Sequence, residues 1–284
     1  MADTLVEVSD LVVEQDNPDC LFFDCRFNLL DVAWGRGEYH KGHIPGAVYV
    51  DLNKDLSAAV VPGKTGRHPL PSIELFQQQV AKWGITQDTQ IIIYDQREGM
   101  FAARLWWMLR WCGIKNVALL NGGWSAWLAA GASVSTDQRK QRSINNISLA
   151  VNEELIVNAD DVMNNLESKE LILLDARTED RYRGENETID PIAGHIPGAL
   201  SAPFVLNLDK DGKFLSKNDL NDRYKKLLGD RAVSDVVNYC GSGVTATHNI
   251  FAMYYAGLGM ASLYPGSWSE WITDERRPIA LGAI

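Results

Sequence analysis

Long apolar runs and a surplus of basic residues are both missing from this sequence. No apolar stretch approaches the roughly 20 residues that a membrane span needs, and residues 1–4 (MADT) have neither the basic start nor the apolar core of a secretory signal. The 27 basic against 37 acidic residues give a net charge of -10, which opposes non-specific attraction to nucleic acid. We therefore expect a soluble, cytoplasmic protein with no membrane or nucleic-acid partner.

Paired cysteines are missing too. The four cysteines, Cys20, Cys25, Cys112 and Cys240, are scattered and form no C-x-x-C motif, so a zinc site is not expected. No other motif implies a metal or an organic cofactor. In a reducing compartment each thiol is either a small buried apolar group or a reactive one.

What the sequence does contain is an internal repeat. Residues 42–47 (GHIPGA) recur unchanged as residues 194–199. Residues 91–95 (IIIYD) match residues 236–240 (VVNYC) in the same order along the chain. At 284 residues the chain has room for two ordinary domains, so the repeat indicates one domain that has been duplicated.

Each copy alternates short β-rich runs with stretches of helical character. Residues 101–112 and 247–257 predict amphipathic helices, and the alternation predicts an α/β fold, a mainly parallel sheet flanked by helices. Residues 133–148 are polar and suit an exposed linker. We place the domains at residues 1–138 and 139–284.

The strongest chemical signal is the glycine-bearing turn that begins at Cys240. A β-rich run precedes it and a helical stretch follows, so backbone N–H groups can point inward and favour an anion. Such a cradle favours a thiolate, which predicts that Cys240 is a nucleophile. The other copy has Asp95 in the cysteine position, which predicts a catalytically silent first domain. The remaining three cysteines are expected to lie in the core.

These motifs resemble the tandem-domain rhodanese family over nearly the whole chain. The resemblance rests on the paired GHIPGA motifs, on residues 240–246 (CGSGVTA) and on residues 266–271 (GSWSEW). It implies two tandem rhodanese-like domains and a sulfurtransferase reaction in which Cys240 attacks donor sulfur and becomes a persulfide. Cyanide, a thiol or an acceptor protein then regenerates the cysteine, with a thioredoxin-like reductant as one candidate partner.

The residues after Cys240 indicate which small molecule donates the sulfur. The loop resembles that of 3-mercaptopyruvate sulfurtransferases, whereas thiosulfate enzymes usually have basic residues where Gly241 and Ser242 stand. Backbone groups at Gly241, Gly243, Val244 and Thr245 are expected to bind the substrate and the persulfide. Ser242 either positions or protonates the donor, or satisfies backbone groups of its own loop. A thiosulfate:cyanide sulfurtransferase and a protein-to-protein persulfide carrier stay open as alternatives.

Arg181 aligns with the anion-binding arginine of the family, and its planar fork suits a carboxylate. The alternative is a surface arginine that pairs with Asp180 or Glu185. Mercaptopyruvate enzymes commonly carry a second arginine just before the second GHIPG, but residues 187–191 here read ETIDP. Arg177 and Arg183 are the candidates to replace it.

Each copy of the GHIPGA motif contains a histidine that has either an acid–base role or a structural role. His43 and His195 occur in both the active and the silent copy, which favours structural roles over acid–base roles. A relay of Asp31, His43 and Ser242 has analogues in the family.

Cysteine phosphatases use a C-x5-R loop, but the arginine position is Ala246 here. A non-enzymatic interaction module would fit the silent domain better than the domain that carries Cys240.

Overall fold

The computed structural model describes residues 4–11, 20–139, 143–144 and 147–283. Its contacts divide the chain into two compact units. The first unit comprises Met1–Ala58, Pro71–Asn152 and Lys210–Phe214, and the second comprises Ala59–Leu70, Glu153–Asp209 and Leu215–Ile284. The predicted domains are contiguous halves that meet at residue 138. The first unit instead runs on to Asn152 and takes Lys210–Phe214 from the second half, and the second unit takes Ala59–Leu70 from the first half.

The first unit is built on a parallel five-stranded sheet with the strand order β1-β5-β4-β2-β3. Its strands are β1 (Leu5–Val6), β2 (Cys20–Asp24), β3 (Val48–Tyr49), β4 (Gln90–Tyr94) and β5 (Val117–Leu120). Its helices are α1 (Val8–Leu11), α2 (Trp34–Lys41), α3 (Ile73–Trp83), α4 (Ala102–Trp111) and α5 (Gly123–Ala129).

The second unit repeats the plan with a parallel four-stranded sheet in the order β7-β6-β8-β9. Its strands are β6 (Ile172–Asp175), β7 (Leu200–Ser201), β8 (Val236–Tyr239) and β9 (Ser262–Leu263). Its helices are α6 (Ala159–Ser168), α7 (Glu179–Arg183), α8 (Lys217–Leu228), α9 (Thr245–Tyr255) and α10 (Ser267–Trp271). The α/β fold class predicted from the alternation is confirmed.

Burial on both faces explains why the central strands are almost entirely apolar. All five residues of β2 and all four of β8 are buried, as expected of parallel strands covered by helices on both sides. The prediction that residues 101–112 form an amphipathic helix is wrong in one respect. Nine of the ten residues of α4 are buried, because this helix lies inside its unit and presents no broad polar face to solvent.

The repeated GHIPGA turn owes its sequence to a buried tyrosine and histidine. In the first unit the Tyr39 ring stacks on His43 with 3.9 Å between centroids, and the Tyr39 hydroxyl donates to the Ala47 carbonyl at 2.7 Å. Tyr182 and His195 repeat the stack at 3.8 Å, and His195 Nδ1 lies 2.8 Å from the Tyr182 carbonyl. Both histidines therefore hold their own turns together, as the duplication predicts.

Among the helices that the described residues form, none is both long enough and apolar enough to cross a membrane.

Candidate active site

Cys240 lies directly after β8, in a loop that leads into α9. It is 1% exposed, and its backbone N–H donates to Ser267 Oγ at 3.1 Å. The carbonyls of Cys240 and Gly241 accept hydrogen bonds from Trp268 N and Ser269 N, each at 2.9 Å. Hydrogen bonds from the first residues of α10 thus hold the backbone of the loop. The position of the Cys240 thiol is therefore set by backbone hydrogen bonds as well as by side-chain packing.

One loop glycine is required by a close approach to the backbone, and a second leaves room for two arginine side chains. Gly243 has a φ of +74°, and a Cβ there would lie 2.3 Å from the Pro265 carbonyl oxygen, closer than any side chain can come. A Cβ on Gly241 would lie 2.7 Å from Nη2 of Arg67 and 3.5 Å from Nη2 of Arg181. The missing side chain at Gly241 thus lets two guanidinium groups approach the residue next to Cys240.

The two arginines share one carboxylate. Arg67 forms a salt bridge through Nη1 with Asp190 Oδ1, and Arg181 Nη2 donates to the other oxygen of Asp190 at 3.1 Å. Arg181 also donates to Glu187 through Nε at 3.0 Å and Nη2 at 2.9 Å. The carboxylates of Glu187 and Asp190 are each 2% exposed. The alternative, in which the Arg181 side chain pairs with Asp180 or Glu185, is wrong, because these two buried carboxylates bind it instead.

Electrostatics around Arg67 follow from this arrangement. Burial lowers the pKa of Arg67, the Cys240 thiolate raises it and the neighbouring Arg181 lowers it. A guanidinium nevertheless stays charged at neutral pH. Formally, the charges of Arg67 and Arg181 are balanced by those of Glu187 and Asp190, so the cluster beside the thiol has no net charge.

The two arginines that the sequence offers as the second guanidinium are bonded to other partners. Arg177 is buried and bonds to Asp175, with 2.6 Å between Nη2 and Oδ2, and to the Gly194 carbonyl, also at 2.6 Å. Arg183 pairs at the surface with Glu179 and Glu185. Arg177 also pairs with Glu187, with 3.4 Å between Nη1 and Oε2. The guanidinium nearest Gly241 belongs to Arg67 and not to either candidate.

Ser242 bonds to a histidine that the sequence analysis did not consider. The distance from Ser242 Oγ to His68 Nδ1 is 2.8 Å, and each residue is 6% exposed. The ring nitrogens of His43 lie 2.8 Å and 3.1 Å from the carbonyls of Tyr39 and Asp137. The relay of Asp31, His43 and Ser242 is therefore wrong, because the histidine that bonds Ser242 is His68.

A comparison of the two halves contains the signal that would have found both missed residues. Residues 66–72 (GRHPLPS) end at the N-cap serine of α3, and residues 212–216 (GKFLS) end at the N-cap serine of α8. In the second segment Lys213 and Phe214 stand where Arg67 and His68 stand in the first. His68, which is retained in only one copy, is a candidate for function by the same argument that applies to Cys240, and Arg67 is the residue beside it, with a lysine in the other copy.

The corresponding loop of the first unit contains the carboxylate of Asp95, in the position that Cys240 has in the second unit. The Asp95 carboxylate accepts backbone hydrogen bonds from Arg97 at 3.1 Å, Gly99 at 2.9 Å, Phe101 at 2.8 Å and Ala102 at 3.3 Å. Burial raises the pKa of Asp95, and these four amide bonds act in the opposite direction. The loop after the central strand of this fold can thus enclose a negatively charged group with N–H donors.

The other thiols are in the core, as predicted. Cys20, Cys25 and Cys112 are 4%, 2% and 0% exposed, and none of the four cysteines forms a disulfide within the residues that the structure describes. Burial raises the pKa of Cys112 to about 12 and raises that of Cys25 well above its ordinary value. Nearby aspartates add to the raised pKa of Cys25, whereas two guanidinium groups approach the residue next to Cys240. Over the residues that the structure describes, no group of three or more His, Cys, Asp or Glu side chains could hold a metal ion.

Comparisons with known proteins point to one family. A family model described as "Rhodanese-like domain" matches residues 7–130 and 158–274. The chain is 47% identical to a Pseudomonas aeruginosa protein named "Probable 3-mercaptopyruvate sulfurtransferase", over 98% of each chain. It is 33% identical to the Bos taurus thiosulfate sulfurtransferase, over 86% of this chain and 84% of that protein.

Solved structures agree with the sequence comparisons. The 3-mercaptopyruvate sulfurtransferase of Leishmania major matches with a TM-score of 0.83 and 30% identity, over 98% of this chain and 76% of that chain. The family model is thus matched twice, the relatives align over most of the chain, and the fold agrees in both units. The chain therefore belongs to the rhodanese family, as a two-domain sulfurtransferase.

Proposed function

We propose that this sulfurtransferase takes sulfur from 3-mercaptopyruvate as a persulfide on Cys240 and passes it to a thiophilic acceptor. The observation that carries the proposal is the setting of Cys240, in a loop without basic side chains and beneath two arginines whose charges Glu187 and Asp190 balance. A neutral cluster suits a donor with one carboxylate better than the thiosulfate dianion. The relatives named as mercaptopyruvate enzymes support the same donor.

The sulfur transfer balances as follows. The Cys240 thiolate attacks the sulfur of 3-mercaptopyruvate, an S–S bond forms and the C–S bond breaks. The electron pair of the broken bond goes to carbon 3 of a pyruvate enolate, which takes up a proton to give pyruvate. Cyanide or a thiolate then attacks the outer sulfur of the persulfide, so that thiocyanate or a new persulfide leaves and the Cys240 thiolate is regenerated.

Residues around Cys240 have distinct parts in this scheme. Backbone N–H groups of Gly241, Gly243, Val244 and Thr245 would hold the persulfide anion, as the loop amides of the first unit hold the Asp95 carboxylate. Ser242, hydrogen-bonded to His68, would deliver the proton to the enolate. Arg181 would bind the carboxylate of the donor.

The two halves of the chain would then differ in function. We assign catalysis to the domain at residues 139–284, completed by Arg67 and His68, and treat the domain at 1–138 as silent because Asp95 takes the cysteine position. The four free thiols favour a reducing compartment such as the cytoplasm, where a thioredoxin-like protein would serve as acceptor.

The test is a comparison of donors. With cyanide as acceptor, kcat/KM for 3-mercaptopyruvate should exceed kcat/KM for thiosulfate by at least about tenfold, the factor that about 1.4 kcal/mol of transition-state stabilisation represents. The Cys240→Ser variant serves as the blank. A preference for thiosulfate would contradict the proposed donor. Inactivity of the wild type with both donors would contradict the small-molecule reaction and favour a persulfide relay between proteins.

A further inference from the structure

A small cavity adjoins the turn between β9 and α10. It has a volume of about 150 Å³, and all the residues that line it belong to the second unit. Its walls are mainly apolar, with side chains from residues 69–70, residues 156–157 and Pro265. Two of its lining residues are ionisable, Tyr264 and Glu270. A cavity of this volume accommodates an apolar molecule of about six heavy atoms, such as benzene.

The Tyr264 hydroxyl is buried without a hydrogen-bond partner. Tyr264 is 0% exposed, and within the described part of the chain no group has hydrogen-bond geometry to its hydroxyl. Burial and the nearby charge of Glu270 raise the pKa of this hydroxyl, so it stays protonated at neutral pH. A buried polar group that lacks a partner costs stability, and it is commonly explained by a bound ion, water or ligand.

The Glu270 carboxylate lies near this hydroxyl and is not neutralised by an ion pair. It is packed against the backbone at the start of α10, because a Cβ added to Gly266 would overlap Glu270 Oε2. No Lys, Arg or His side chain among the described residues forms an ion pair with it. Burial raises the pKa of Glu270, the Tyr264 hydroxyl and Arg277 act in the opposite direction, and Asp160 adds to the rise. Formally, two carboxylates and one guanidinium leave a single negative charge at this place.

The first half of the chain lacks both groups. Residues 120–127 (LNGGWSAW) align without a gap with residues 264–271 (YPGSWSEW), so that Leu120 and Ala126 stand where the tyrosine and the glutamate stand. In both units the first residues of this helix donate the same two backbone hydrogen bonds to the preceding loop. The local fold therefore forms without the tyrosine and the glutamate, which makes these two residues candidates for binding.

We propose that this cavity is a binding site for a small primary ammonium ion with a short alkyl chain. The ammonium group would donate hydrogen bonds to the Glu270 carboxylate and to the Tyr264 hydroxyl, and its charge would balance the negative charge there. The alkyl chain would lie against the apolar wall. The site adjoins the Cys240 loop, since the Pro265 carbonyl lies against Gly243, but the proposed catalytic residues do not line it. The inference therefore does not depend on the identity of the sulfur donor.

Titration calorimetry with n-butylammonium chloride and with n-butanol tests the role of the charge. The two molecules have the same chain, and only the first carries an ammonium group. At pH 8 and about 0.15 M salt, wild type should bind n-butylammonium at least about tenfold more tightly than n-butanol. Glu270→Gln keeps the shape of the side chain and removes the charge, so it should abolish this preference. Glu275→Gln removes an exposed carboxylate nearby in the chain and should retain the preference.

Tyr264→Phe tests the second contact. The hydroxyl that it removes has no hydrogen-bond partner in the described residues, so the melting temperature without ligand should not fall. The affinity for n-butylammonium should fall at least about threefold, because the complex would lose one hydrogen bond. A structural role of the hydroxyl would give the reverse result, a lower melting temperature with unchanged affinity.

Several outcomes would overturn the proposal. Equal affinities of wild type for n-butylammonium and n-butanol would do so, as would a preference that Glu270→Gln retains. If Glu270→Gln lowers the melting temperature without ligand, Tyr264→Phe decides, and wild-type affinity in that variant would rule out the site. Cys240→Ser should bind n-butylammonium as wild type does, whereas weaker binding would place the ligand at the catalytic loop and overturn the inference.

Discussion

Single residues that occur in only one half of the duplicated chain are the candidates for a role in the chemistry. His43 and His195 occur in both halves, and each bonds a tyrosine carbonyl of its own turn. Cys240 and His68 occur once, with Asp95 and Phe214 in the corresponding positions. Duplication therefore works as an internal control, because constraints of folding act on both copies and constraints of catalysis act on one.

His195 should make the stability of the protein sensitive to acid. Burial lowers its pKa below the ordinary value of about 6.5, and the hydrogen bond to the Tyr182 carbonyl opposes this shift only in part. Below about pH 6.5 the unfolded chain binds a proton at this residue that the native state resists, so the free energy of unfolding falls as the pH falls. At higher pH the contribution is fully present.

The matched variant is His195→Asn, whose amide Nδ2 can replace Nδ1 as donor to Tyr182. Urea unfolding of wild type and variant at several pH values between 5 and 8 measures the effect. The variant should be less stable at pH 8 but lose less stability on going to pH 5. Parallel curves for the two proteins would show that His195 does not carry this pH dependence.

At the scale of elements, the loop between β8 and α9 depends on backbone geometry that alanine cannot adopt freely. Gly243→Ala would place a methyl group 2.3 Å from the Pro265 carbonyl at a φ of +74°. We expect the free energy of unfolding to fall by about 2–4 kcal/mol, as is typical of backbone strain combined with a steric overlap. Sulfur transfer should fall as well, because the loop amides would move.

Gly257→Ala is the control for this prediction. Gly257 has a φ of +80° with no atom within 4 Å of the added Cβ, so its substitution reports backbone strain alone, about 1 kcal/mol. Chemical denaturation of both variants gives the difference that belongs to the Pro265 contact. Equal losses would mean that the loop relaxes away from Pro265 and that the glycine is not needed for the close approach.

At the scale of helices and strands, much of the fold can be predicted from the sequence. Fewer residues of the candidate active site can be predicted in this way. Alternating short strands and helices gave the parallel sheets, and the glycine turn after β8 identified Cys240. Arg67 and His68 escaped because Ser242 and His68 are 174 residues apart, and no local pattern links segments so distant. Burial of α4 on nearly all sides was also missed, since its arginines suggested a polar face while Arg104 is fully buried.

For the whole molecule, the four thiols should divide into one reactive and three inert groups. Cys20, Cys25 and Cys112 lie in the core of the first unit, and burial raises the pKa of the last two. Two guanidinium groups, those of Arg67 and Arg181, approach the residue next to Cys240. Native protein treated with iodoacetamide at neutral pH should therefore incorporate one label rapidly.

Mass spectrometry of the labelled protein checks this expectation. Cys240→Ser should take up no label in the time that saturates wild type, and both proteins should label fully after denaturation, with four and three groups. Rapid labelling of Cys240→Ser would contradict the division, because one of the core thiols would then have to be accessible.

The second unit includes residues 59–70 from the first half of the chain, and this limits which deletions in the gene the proposed site can tolerate. Residues 59–70, which carry Arg67 and His68, are encoded in the half whose own cysteine position holds Asp95, yet they complete the other unit. A deletion of the half that carries Asp95 would therefore also remove two residues of the proposed site. Selection on the proposed site would on this ground alone preserve both halves of the chain.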